Sequence, residues 1–165
     1  MLRNCLTTAL MLGMACCAAA VPAAEPLATK KVLTLAAAKE MAAAAEKHAA
    51  ENKWNVCISI VDDSGALIYF QRMDGTQVAS VAISQGKAET AARFKRPTKA
   101  LEEAVMMGRT VVLALPGVVP VEGGLPIVVD GNVIGAIGVS GVKSTEDAQV
   151  GQAGIDALSK LIEKK

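Results

Sequence analysis

The hydrophobic pattern changes period several times along the chain. Leu35, Ala38, Met41, Ala42, Ala45 and Ala49 recur at helical spacing behind Thr34, whose hydroxyl can cap a first turn, so the pattern predicts a helix to about Asn52 lying on a sheet. Val56, Ile58 and Ile60 then alternate with Cys57, Ser59 and Val61, and Asp62-Asp63-Ser64-Gly65 turns the chain into a second strand, Ala66 to Arg72. A second long helix is expected from about Gln77, with Val78, Val81, Ala82, Gln85 and Ala88 inward, running towards Phe94 and stopped by Pro97. Thr98 can cap a shorter helix with Leu101, Ala104 and Val105 inward, ended by Gly108. Thr110 to Leu115 reads as a third strand, and Pro116 to Glu122 as an irregular crossing.

Beyond the crossing, PIVVDGNVIGAIGV sets β-branched residues on both sides of Asp130-Gly131-Asn132, the signature of a tight hairpin. Ser144-Thr145-Glu146-Asp147 opens a terminal helix whose inner stripe is Val150, Ala153, Ala157, Leu158 and Leu161. The order α-β-β-α-α-β-β-β-α, with hairpins and no crossover helix between neighbouring strands, predicts an α+β domain with a mainly antiparallel sheet of about five strands flanked by helices. Gly135, Gly138 and Gly141 recur within the last strand, where a missing side chain marks close approach of a helix or a ligand. Their GxxGxxG spacing lies inside a strand, unlike the strand-to-helix GxGxxG of dinucleotide sites, and GxxxxGK[ST], HExxH and CxxC motifs are lacking.

The first residues supply a leader. Met-Leu-Arg-Asn, an apolar run from Cys5 to Ala20 and Val21-Pro22-Ala23-Ala24 read as a signal peptide over 1–23, leaving 24–165 as one exported domain, periplasmic or secreted. The run is too short for a membrane span, and Gly13 stands where acylation at Cys16 or Cys17 would call for leucine. Cleavage leaves Cys57 as the single cysteine, so no internal disulfide is possible. It also removes Arg3, leaving 16 basic against 16 acidic residues, a neutral balance that argues against nucleic acid or an anionic membrane as partner.

Few side chains offer chemistry. His48 is the only histidine and sits beside the apolar face of the first helix. It is either a boundary histidine satisfied by Glu51 or a carbonyl, or an imidazole able to ligate haem iron. With no second ligand at metal spacing, a mononuclear zinc site is not expected. Arg93, Lys95 and Arg96 satisfy a helix C-terminus, yet with Lys143 they could also anchor ligand carboxylates. Met73, Met106 and Met107 read as core filler, and Cys57 as an inert small hydrophobe.

Three blocks, VDDSGALIYFQRMDG at Val61 to Gly75, GKAETAARFKRPT at Gly86 to Thr98 and GGLPIVVDGNVIGAIGVSG at Gly123 to Gly141, resemble the GlcG/HbpS family, the haem-degrading domain family. The resemblance implies an α+β domain assembled as a homo-oligomer and, for exported members, haem binding with slow breakdown or redox sensing. It carries over to the Arg96-Pro97-Thr98 corner and the Gly123-Gly124 loop alone. If haem is the ligand, the residues themselves offer His48, or an oxygen ligand such as Tyr69 or Thr98, for the iron and Arg93, Arg96 and Lys143 for the propionates. Other members imply an enzyme or carrier for a small organic acid, for which those basic residues would clamp a carboxylate and Asp62 or Asp63 would act as base. A partner that regulates a membrane receptor is a third possibility, with no dedicated surface in the sequence.

Overall fold

The computed structural model describes Leu27 and residues 29–163. The signal peptide expected over 1–23, with its expected cleavage, lies outside the described residues. Helix α1 (Leu35–Glu51) leads into β1 (Cys57–Asp62) and β2 (Leu67–Arg72), followed by α2 (Ala79–Phe94), α3 (Thr98–Met106), β3 (Gly124–Val129), β4 (Asn132–Ser140) and α4 (Ser144–Glu163). The sheet is four-stranded and antiparallel throughout, in the order β2-β1-β4-β3.

The expected fifth strand is a 3-10 turn, Thr110–Ala114. Its β-branched residues meet no strand edge. The segment packs on α3 and closes its own bonds, Val112 N–H to Arg109 O at 3.2 Å and Leu115 N–H to Val112 O at 3.2 Å, because strand preference is expressed only where a partner is available. The expected hairpin forms with Asp130 (φ 50°) and Gly131 (φ 75°) as its two turn residues, both left-handed as a type I′ turn requires.

The two faces of the sheet differ in chemistry. Ile58, Ile60, Ile127, Ile137 and Val139 join Met41, Ala42, Ala45 and Ala49 of α1 and Val150 and Leu158 of α4 in the main core. Thr34 caps α1 through Ala37 N–H at 3.2 Å, while Leu35, expected inside, stands half exposed. The other face presents Ser59, Val61, Ala136, Gly138 and Ser140 to α2. A face so small and polar selects a helix of the same kind. Ser80, Ser84, Lys87, Ala88 and Ala91 point inward, whereas Val78 and Ala82, expected inside, are exposed. Ser59 and Ser84 share a bond of 2.8 Å, and Ser140 and Ser80 one of 3.1 Å, so hydroxyls replace apolar contacts across this interface.

Asp62 organises the β1–β2 turn. Its Oδ1 accepts from Ser64 Oγ at 2.6 Å and from the N–H groups of Ser64 and Ala66 at 2.8 and 2.9 Å. These bonds, the Ser64 hydroxyl first, hold its carboxyl below the usual range. A depressed native pKa adds stability above the unfolded value and loses it as pH falls. In urea titrations, wild type should therefore lose its advantage over Asp62→Asn as pH drops through about 4 and keep it at neutral pH. A gap between the two that stays constant with pH would refute this.

Candidate functional site

The centre of the molecule is built around Gly123 and Gly124. Lys87, from the middle of α2, reaches Val139 O at 3.0 Å and Asp147 Oδ2 at 2.9 Å. Both charged side chains are only 2% exposed. Asp147 Oδ1 also accepts from Val142 N–H at 3.2 Å, so the pair ties α2, β4 and the first turn of α4 together. Burial pushes the Asp147 carboxyl up, against the pull of the Lys87 ammonium. Gly123 (φ 124°) lies directly on this pair, since a Cβ there would stand 2.8 Å from Lys87 Nζ and 2.9 Å from Asp147 Cβ. A side chain would also drive Gly124 into the Lys87 carbonyl oxygen.

Thr98 does not cap α3. That helix begins at Thr98 itself without a side-chain cap, and the hydroxyl accepts from Gly124 N–H at 2.9 Å and donates to Gly124 O at 3.4 Å. The crossing segment then runs back along α2. Val119 sits on Gly86, and its N–H donates to Thr90 Oγ1 at 2.9 Å. Thr98, Gly123 and Gly124 are thus brought together, but all three are buried: Thr98 and Gly124 bond each other, and Gly123 O accepts from Val139 N–H at 2.9 Å. They position the segment from α3 to β3 and do not themselves face solvent.

What that segment presents outward is apolar. Met106, Met107, Val111, Leu113, Leu115 and Val121 are between 37% and 85% exposed, a ledge on α3, the 3-10 turn and the crossing. The two methionines, expected as core filler, are among its most exposed members. Arg93 lies beside this segment, with Nη1 3.7 Å from where a Gly117 Cβ would stand, while its Nε donates to Ser64 O at 3.1 Å. Arg109 belongs to the same arm. Arg96 is exposed and turns its Nε to Phe94 O at 3.1 Å.

The remaining expected residues are elsewhere. Lys143 follows the Ser140 end of β4, pairs with Glu146 at 3.8 Å, and lies about 16 Å of strand away from the Asp62 end where Arg93 is anchored. One ligand carboxylate cannot bridge them. His48 and Tyr69 pack on the opposite face of the sheet, with α1. Tyr69 donates to Gln71 Oε1 at 3.2 Å. His48 meets the Trp54 ring edge-on at 6.0 Å, and its buried Nε2 has no hydrogen-bond partner. Among the described residues no cluster of three His, Cys, Asp or Glu side chains suits a metal ion, and no helix is long and apolar enough to cross a membrane. The sequence places Asp147 in the first turn of the terminal helix, as found, but does not single out Lys87 or the pairing of the two. A lysine among small residues on a helix facing a serine-lined strand was the available signal.

An antiparallel four-stranded sheet, backed by α1 and α4 and covered by α2 and a glycine-pinned arm, defines a small α+β domain with neither a nucleotide loop nor a metal cluster among the described residues. The chain belongs to the HbpS-like family, whose model, described as haem degrading protein HbpS-like, matches residues 33–156. It is 45% identical over 112 residues to Protein GlcG of Escherichia coli strain K12, covering 68% of this chain and 84% of that one. Klebsiella pneumoniae protein ORFY superposes with a TM-score of 0.78 at 36% identity, over 82% of this chain and 97% of its own. PduOC, crystallised as a haem complex, superposes with a TM-score of 0.71 at 28% identity, over 77% and 95%.

Proposed function

We propose that the mature chain is an exported haem-binding protein that works as a homo-oligomer and seats the porphyrin on the ledge of α3 and the 3-10 turn. The observation that carries this reading is the exposure of six large apolar side chains between Met106 and Val121, with Arg109 in the same segment and Arg93 against Gly117. A solvent-exposed apolar surface of this kind marks a binding site. Family membership and the haem complex of PduOC support haem as the ligand. The donor set fits: the Met106 and Met107 thioethers can ligate iron, and Arg93, Arg96 and Arg109 can meet propionates. Bound haem supplies an iron centre that oxygen and a reductant can reach, the chemistry that ring breakdown or redox sensing needs. A second copy packed on the same ledge would give the macrocycle the opposite wall that four aromatic residues in the whole chain do not provide.

Haemin titration of the protein from residue 24 onward should give a stoichiometric Soret shift, and light scattering a mass above one chain. His48→Ala should leave the Soret band in place, whereas Met106→Ala with Met107→Ala should move it or weaken binding about tenfold. A band altered by His48→Ala and untouched by the methionine pair would overturn the ledge. Thermal stabilisation by glycolate but not haemin would transfer the reading to a small organic acid.

A further inference from the structure

Two adjoining cavities lie under the segment that precedes α1, away from the ledge. The larger, about 690 Å³, is an open groove walled mainly by Val32, Leu33, Ala37, Ile134, Leu158 and Leu161, with Glu40 also in its lining. The smaller, about 470 Å³, is polar and holds Lys30, Lys31, Lys95, Asp63 and Asp130. They share Lys31, Val129 and Ile134, so an apolar chamber opens beside a charged one. The larger volume falls within the range of about 300–1,000 Å³ usual for small-ligand sites. No His, Met, Cys or Tyr lines either chamber, so neither offers the usual side chains that hold haem iron.

The charged chamber carries three lysines against two aspartates. Lys30–Asp63 at 2.8 Å and Lys31–Asp130 at 2.5 Å are exposed pairs, which contribute little and can exchange partners. Lys95 has no carboxylate partner among the described residues. It ends α2 in the left-handed conformation, φ 52°, where glycine is usual and a lysine is strained. Its N–H bonds to Ala91 O and Ala92 O hold that geometry, so the cation stands at the chamber by backbone design.

We propose that the double cavity binds a long-chain aliphatic carboxylate, its chain in the apolar chamber and its head at Lys95 and the neighbouring lysines. The pairing of an apolar wall with Lys95, the lysine of the charged chamber that has no carboxylate partner among the described residues, matches a ligand having one apolar body and one anionic head. The site is separate from the haem ledge, and the two readings fail independently.

Calorimetric titration of the mature protein with sodium dodecanoate below its micelle concentration tests this. Saturable one-to-one binding is expected, with butyrate and dodecyltrimethylammonium at least about tenfold weaker. Lys95→Glu should weaken dodecanoate about tenfold, and Leu161→Glu, a half-exposed and therefore tolerant position, should abolish it while circular dichroism and haemin binding stay unchanged. No saturable heat overturns the site. Equal affinity for the cationic amphiphile, or dodecanoate binding indifferent to Lys95→Glu, overturns the assignment of the anionic head.

Discussion

Asp147→Ala is expected to remove about 3–5 kcal/mol of stability, read as a large fall in the urea midpoint with little change in slope. The reason is asymmetric. The substitution leaves the Lys87 ammonium 2% exposed, with Val139 O as its remaining bonded partner, and an uncompensated buried charge costs far more than the pair contributed. Because a domain of this size holds only about 5–15 kcal/mol in total, the variant should be close to unfolding at 37 °C. Replacing both partners by apolar residues of similar volume, Lys87→Met with Asp147→Leu, should recover most of the loss. If the double variant is no better than the single one, the damage lies in lost geometry around Gly123 and not in the stranded charge. Since Gly123 lies against the pair, Asp147→Ala should also loosen the arm carrying the ledge and weaken haemin binding beyond what the fall in folded fraction explains.

Gly138→Ala should be nearly as severe, costing about 3 kcal/mol or more. A Cβ at Gly138 would collide with the Ser84 carbonyl oxygen and stand 2.5 Å from the Ala88 nitrogen. Both are backbone atoms of α2, so no rotamer change relieves the clash and the helix must move off the sheet. Gly131→Ala is the control. It has φ 75° but open space around it, so it should cost only about 1–2 kcal/mol of left-handed strain. Thermal unfolding of the two variants separates close packing from backbone conformation, and equal losses would show that α2 yields to the added methyl.

The contrast between these glycines shows how far the sequence could be read. Asp130-Gly131 announced its turn because the requirement is local, two consecutive positive φ values that few residues accept. The period of α1 was legible for the same reason, as it faces an aliphatic sheet surface that repeats the helix's own stripe. Gly138 pointed to close approach of a helix or a ligand, and the helix proved to be α2. On α2 the helix and the burial of Ala88 were legible but Val78 and Ala82 were misplaced, because the inward face is serine, lysine and alanine, and hydrophobic periodicity cannot see a helix that matches a polar sheet face. The reading failed at Thr110, where β-branched residues without an available edge became a 3-10 turn.

The sequence by itself determined the family, the α+β class, both hairpins and the residues of the glycine corner. Each depends on short-range geometry or on motifs that survive without neighbours. The tertiary structure decided that Lys87 and Asp147, 60 positions apart, meet in the dry centre. It also placed His48 and Arg93 on opposite sides of the sheet and turned Met106 and Met107 outward. Those outcomes depend on which surface each helix finds to cover, and burial is a property of the assembled layers that no local pattern encodes.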